Sequence, residues 1–206
     1  MNVRDQPERW EVVGTTEHFK GYVVNVRTDQ VRMPNGDAME TVTRDVVGHP
    51  GSVGILALDA DDRVLLIRQY RHPVGRLLWE IPAGLRDVAG EPLRRLAARE
   101  LAEEAGVRAT EWHTLLDFYT SPGISDERCR IFLARGVSPI PASEIDFRRV
   151  HEEADMPVVW VPLDEAVGKV LRGDFHNPLA ATGVLAVHAA RSAGFGDLRA
   201  PDAAEE

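Results

Sequence analysis

Residues 84–107 read GLRDVAGEPLRRLAARELAEEAGV, and the direction in which the glutamates of this run point decides the fold. Pro92 suits the first position of a helix and Gly106 the residue just past its end, which predicts a helix from about Pro92 to Ala105. With Leu93 at zero and about 100° per residue, Leu96, Ala97 and Leu101 fall at about 300°, about 40° and about 80°, one apolar stripe. Glu100 at about 340° and Glu104 at about 20° lie inside it, and Glu103 at about 280° lies beside it. Arg94, Arg95 and Arg99 occupy the other side, between about 100° and about 240°. A solvated acidic face would oppose the leucines. This one does not.

Like charges four residues apart destabilise a helix by ~0.2–0.5 kcal/mol, and a partly buried carboxylate costs far more unless something pairs with it. A polar residue at a core-facing position therefore points to function. Two kinds of partner satisfy such a ridge. One is a hard divalent cation, for which oxygen ligands suit Mg²⁺ or Mn²⁺; the other is a set of salt bridges to nearby arginines. The angles alone leave both open.

Around this run lies a chain of 206 residues, 44% hydrophobic and 28% charged, which fits one domain with a small extra unit. A formal net charge of −9 argues against nucleic acid as the main partner, although a small phosphorylated ligand needs only a few arginines or a cation. The opening MNVRDQPERW lacks the apolar core of a signal peptide, and no apolar run approaches the ~20 residues of a membrane span. The lone Cys129 cannot form an internal disulfide, so a structural thiol in a reducing cytoplasm is expected. The histidines show no HExxH spacing, and no phosphate loop of the G-x-x-x-x-G-K-[ST] type is present.

Turn signals divide the chain. Pro34-Asn35-Gly36-Asp37 between Tyr22–Met33 and Ala38–Val47 predicts a hairpin, and His49-Pro50-Gly51 marks a boundary. Val53–Asp59 and Val64–Tyr70, joined at Asp61-Asp62, predict a buried hairpin. Further strands are expected at Thr114–Tyr119, Arg130–Arg135 and Pro157–Val161, and helices at Leu163–Arg172 and Pro178–Ala193. Strands and helices mix without regular βαβ alternation, which predicts an α/β fold with a mixed sheet packed by helices. The expected organisation is an N-terminal β unit over 1–50, a main domain over 51–195 and a polar tail over 196–206, fraying from Ala200.

The run from Gly84 closely resembles the Nudix box, in which a glycine leads to a glutamate and, seven residues later, to R-E-U-x-E-E-x-G-U with U aliphatic. Glu91, the seven-residue gap, Arg99-Glu100-Leu101, Glu103-Glu104 and Gly106-Val107 all match. Six residues rather than five separate Gly84 from Glu91, an insertion that leaves the helix register untouched. The resemblance implies a Nudix α/β/α sandwich with a mixed sheet, preceded by a small antiparallel β unit. It also implies Mg²⁺-dependent hydrolysis, with Mn²⁺ able to substitute, of a diphosphate linked to another moiety. Metal would be held by the Ala83 carbonyl with Glu100, Glu103 and Glu104.

Three flanking stretches are similar to the ADP-ribose pyrophosphatase group: QYRHPVGRLLWEIPAG over Gln69–Gly84, SPGISDE over Ser121–Glu127, and TRDVV around Arg44. The similarity spans roughly residues 10–190, as a resemblance rather than a derivation from spacing. It implies substrate contacts from Tyr22, Arg44, Arg71, Glu80, Leu85, Asp126 and Glu127. It also implies a homodimer in which the N-terminal unit supplies part of the adenosine pocket. In the late stretch HEEADM, Glu153 best matches the base that activates water, with Glu152 and Asp155 beside it and Glu103 as an alternative within the box. The implied reaction converts ADP-ribose to AMP and ribose 5-phosphate. The rivals are hydrolysis of another nucleoside diphosphate sugar or a dinucleotide, or a sensor that binds ADP-ribose without cleaving it. A sensor fits poorly with intact box glutamates.

Overall fold

Six consecutive buried residues, Ser52–Ala57, form the strand on which the larger part of the molecule is built. The computed structural model describes residues 3–144 and 156–205. The chain divides into two compact units, Met1–Pro50 with Tyr119–Glu127, and Gly51–Phe118 with Arg128–Glu206.

The first unit is a three-stranded antiparallel sheet of β1 (Val12–Lys20), β2 (Asn25–Asn35) and β3 (Ala38–Gly48) in that order. Asn35 pairs with Ala38, and Gly36 enters the two-residue loop at φ +61°, which suits glycine. Strand β1 has no counterpart in the sequence reading. It is exposed along nearly its whole length, and two bulges interrupt its register, so no period-two apolar signal marks it. The segment 119–127 joins this unit through the Val47 N–H, which donates to the Ile124 carbonyl, and through Ser125 and Asp126, which donate to the Val47 carbonyl.

In the second unit, β4 (Ser52–Ala57) pairs parallel with β9 (Arg128–Pro139) and antiparallel with β7 (Ala83–Leu85), and β8 (Val107–Tyr119) completes the order β7-β4-β9-β8. That sheet is mixed, as expected. A second sheet, β10-β5-β6, is antiparallel and contains β10 (Val158–Pro162), β5 (Arg63–Arg71) and β6 (Arg76–Glu80). The buried hairpin expected of the strands now labelled β4 and β5 is not formed. They lie in different sheets and touch through one bridge, Leu58 to Val64. The Asp59 carboxylate accepts from the Asp61 and Arg63 N–H groups and from Arg63 Nε, closing a turn that carries β5 into the second sheet. Both strands are apolar on both faces, and each finds neighbours on both edges that a simple hairpin would not supply.

Alternating side chains build a core on each side. Val53, Ile55, Ala57, Leu65 and Ile67 pack with Leu96, Ala97 and Leu101 of helix α1 (Leu93–Ala105). Leu56, Leu58, Val64 and Leu66 pack with Leu163 and Ala166 of α2 (Leu163–Leu171) and with Ala180, Val184 and Val187 of α3 (Pro178–Ser192). Helices on both faces of mixed strands give the α/β/α arrangement. Pro92 is the residue before α1 rather than its first, and Gly106 ends it at φ +64°. Among the described residues, no helix is long and apolar enough to cross a membrane.

Through residue 205, the final segment does not fray as expected. Thr114 Oγ1 donates to the Ala200 carbonyl at 2.9 Å, and Arg130, 3% exposed, donates to the Ala203 and Ala204 carbonyls at 2.7 and 3.3 Å. Arg130 also forks onto Asp117 at 2.7 and 2.9 Å, and Arg199 reaches the same carboxylate at 3.0 Å. Burial pushes the Asp117 carboxyl up, but the Arg130 and Arg199 hydrogen bonds outweigh it and hold it below its usual range. Such a group adds stability that is present above its unfolded value of 3.8 and is lost as pH falls through the lowered value. Asp117→Asn leaves the Arg130 charge buried without its anion, and urea denaturation at pH 7 is expected to show a loss of about 3 kcal/mol. The difference from the parent should shrink as pH is taken below the folded-state value; a pH-independent difference counts against the ion pair as its source.

Candidate active site

A peptide N–H and a buried carboxylate meet where β7 lies against α1. Ala83 N donates to Glu104 Oε2 at 2.8 Å, and Glu104 is only 6% exposed. One residue on, Gly84 approaches Glu100 so closely that a Cβ would lie 2.4 Å from its Cγ, Cδ and Oε1. Any larger residue here would have to push the Glu100 side chain aside. The burial of Leu96, Ala97, Leu101 and Glu104 matches the helical stripe read from the sequence, with Glu100 and Glu103 partly buried at its edge.

Arg99 gathers the remaining carboxylates. Its Nη1 lies 2.8 Å from Glu100 Oε1 and 3.0 Å from Glu103 Oε2, and its Nη2 lies 3.4 Å from Glu91 Oε2. Burial opposes the guanidinium charge, yet Glu100, Glu91 and Glu103 outweigh it and raise its pKa further. The arginine alternative left open by the helix angles is thus realised for Glu100 and Glu103. Among the described residues, no three His, Cys, Asp or Glu side chains form a ready metal cage. Mg²⁺ rarely needs one: one or two carboxylates hold it, and water and substrate phosphates complete its shell. Glu100 and Glu104 on one ridge, with main-chain oxygens of β7 alongside, fit such a hard cation in donor type.

Arg71 and Glu80 meet across the β5–β6 pair. Arg71 Nε and Nη2 donate to Glu80 Oε1 and Oε2 at 2.9 and 2.6 Å, a bidentate fork, with the Glu80 side chain 2% exposed. Glu80 is opposite Ile67, which packs under α1, so the pair lies on the same face of the sheet as the box helix. Both Glu80 oxygens are committed to the arginine. Leu85 ends β7 opposite Ser52.

The other candidate residues belong to the first unit. Tyr22 is fully exposed between β1 and β2. Arg44 on β3 is exposed, and its Nη1 donates to the Thr43 carbonyl at 2.8 Å. Asp126 accepts from the His49 N–H at 2.9 Å, and Glu127 accepts from Thr120 Oγ1 at 2.7 Å, with His49 Nδ1 at 3.5 Å. His49 was legible only as a chain breaker; no spacing places it beside Glu127. Glu152, Glu153 and Asp155 lie outside the described residues.

Residues 48–181 match the family described as NUDIX domain. The chain is 47% identical over 193 residues to the ADP-ribose pyrophosphatase of Mycobacterium tuberculosis, covering 94% of this chain and 89% of that one. It is 34% identical over 157 residues to the ADP-ribose pyrophosphatase of Bacillus subtilis, covering 76% and 80%. A crystal structure described as an ADP compounds hydrolase superposes with a TM-score of 0.71 at 20% identity, over 94% of this chain and 99% of that one, a likeness of fold.

Gly84→Ala is expected to displace Glu100, to cost about 1–3 kcal/mol in urea denaturation, and to weaken binding of Mn²⁺ alone. Glu104→Gln keeps an acceptor for the Ala83 N–H while removing the charge, so the fold should persist and Mn²⁺ affinity should fall. Unchanged Mn²⁺ affinity in both variants would remove the metal from this ridge.

Proposed function

This chain belongs to the NUDIX family, and from that premise we propose that it hydrolyses the diphosphate of ADP-ribose to AMP and ribose 5-phosphate with a divalent cation, Mg²⁺ or Mn²⁺ in its place. The observation that carries the reading is the ridge of Glu100 and buried Glu104 set against the Ala83 and Gly84 peptides. The names of the relatives support the substrate.

Glu100, Glu104 and the Ala83 carbonyl would hold the cation, with Glu103 supporting the set. When bound, it supplies positive charge against the diphosphate oxygens and acidifies nearby water. Arg99 keeps the ridge glutamates in position. Arg71, held by its fork to Glu80, orients the diphosphate or a neighbouring group of the substrate together with Arg44. Tyr22, Leu85, Asp126 and Glu127 complete the set of contacts. Glu153 takes the proton of the attacking water as the new P–O bond forms and the bridging P–O bond breaks, with Glu103 as the alternative base. The protein acts as a homodimer whose N-terminal unit completes the adenosine pocket, and the reducing cytoplasm suits the buried thiol of Cys129.

Product analysis against a panel of nucleoside diphosphate sugars and dinucleotides with Mg²⁺ is expected to give AMP and ribose 5-phosphate from ADP-ribose at the highest kcat/KM. Binding without turnover supports a sensor instead. Glu153→Gln should lower kcat by ~10²–10⁴-fold with little change in substrate affinity, while Glu152→Gln stays mild. Equal losses in the two variants displace the base from Glu153.

Sedimentation at micromolar concentration is expected to give a dimer. Deletion of residues 1–48 should abolish both dimerisation and adenosine binding. A fully active monomer after that deletion refutes the completed pocket.

A further inference from the structure

Strand β7 is only three residues long and lies at the edge of its sheet, paired to β4 through Ser52–Leu85, Val53–Gly84 and Gly54–Ala83. So few ladder pairs do not fix a strand end firmly by themselves. At its start, Ala83 is tied to Glu104. Beyond its end, the Arg86 N–H donates to the Gly51 carbonyl at 3.1 Å, and the Arg86 Nη1 and Nη2 fork onto both oxygens of Glu205 at 3.0 Å. Gly51, at φ +88°, allows this: a Cβ there would meet the Arg128 carbonyl at 2.7 Å and Arg86 Cδ at 3.1 Å.

The far side of the fork is a fixed anchor. Residues 199–205 are held by Thr114, whose N–H and hydroxyl reach the Arg199 and Ala200 carbonyls, and by Arg130, whose guanidinium reaches the Ala203 and Ala204 carbonyls. Arg130 is locked in turn by Asp117. Releasing the segment would strand guanidinium donors of a buried arginine, a cost that keeps it in place. Arg128 Nε adds positive charge 3.8 Å from Glu205. The ion pair joins residues 119 apart in sequence, so local chain geometry does not account for it.

We propose that Glu205 is a positioning residue that acts through Arg86: the segment 199–205 is a strap that pins the end of β7 and thereby sets where the Ala83 and Gly84 peptides meet Glu104 and Glu100. This rests on the reading of that ridge as the cation and diphosphate site. A strap that served only general stability would change all parts of the unit alike. A strap that sets the strand end acts first on residues 83–87.

The test uses full-length Glu205→Gln, Arg86→Glu, Glu205→Arg and the charge-swapped double variant, with Asp164→Asn of the Arg191 ion pair as a control away from the ridge. Amide hydrogen exchange is expected to rise about three- to ten-fold at residues 83–87 in Glu205→Gln, the range a partly buried arginine–carboxylate fork carries, with α2 and α3 unchanged. The dissociation constant for Mn²⁺ alone should rise by a similar factor, as should the Mg²⁺ concentration for half-maximal turnover. The double variant should recover most of both losses, and Asp164→Asn should cause neither. Unchanged exchange at 83–87, a uniform rise across the sheets, or no recovery in the double variant overturns the proposal. If the parent protein hydrolyses no ADP-ribose while exchange and Mn²⁺ binding still respond to Glu205, the substrate reading fails and the strap stands.

Discussion

The hydrogen bond from the Ala83 peptide to the Glu104 carboxylate joins a short edge strand to the ridge of a helix, and the candidate chemistry depends on it. A carboxylate as buried as Glu104 is costly unless it is paired. It cannot retreat to water, because Leu96, Ala97 and Leu101 of the same helix are wholly committed to the core beneath. The strand must therefore come to the carboxylate. Gly84 makes the approach feasible by having no side chain where Glu100 lies, so one backbone segment meets two acidic groups in consecutive residues.

Charge adds a second constraint. Arg99 is one cation facing Glu91, Glu100 and Glu103, and Glu104 adds a further carboxylate on the same helix. The arginine relieves part of the repulsion among them. Arg99 and the proposed cation thus share Glu100, while Glu104 is held by the Ala83 peptide instead.

What the sequence disclosed follows the range of the forces involved. Helix α1 was legible because its apolar period, its preceding proline and its terminal glycine are all local, and the placement of Glu100 and Glu104 came with it. The apolar runs of β4, β5 and β9 were legible for the same reason. Strands β6 and β7 were not, since five and three residues carry too little pattern. The assignment of β4 and β5 to different sheets depends on β9 and β10, far along the chain, and hairpin logic favoured the wrong partner. In the site, the Arg71–Glu80 fork needs the β5–β6 register, and Arg86–Glu205 needs the whole fold. The polarity of the tail from Ala200 suggested fraying, yet its Ala200, Ala203 and Ala204 carbonyls are held by Thr114 and Arg130.

The extra residue between Gly84 and Glu91 shows which parts of the site tolerate variation. Register matters on either side of it: β7 is fixed by its pairing to β4 and ends at Leu85, and the stripe of α1 is set from Leu93 onward. Between them, Gly90 adopts φ +78° with nothing within 4 Å of where a Cβ would stand, so this stretch of loop is open. A residue added there lengthens the loop and leaves both faces unturned. Within β6 the same addition would exchange Trp79, which packs toward α2 and α3, for Glu80, which faces the box side, and would break the Arg71 fork. The chain thus carries its one departure from the box spacing where neither the strand pairing nor the helix stripe can register it.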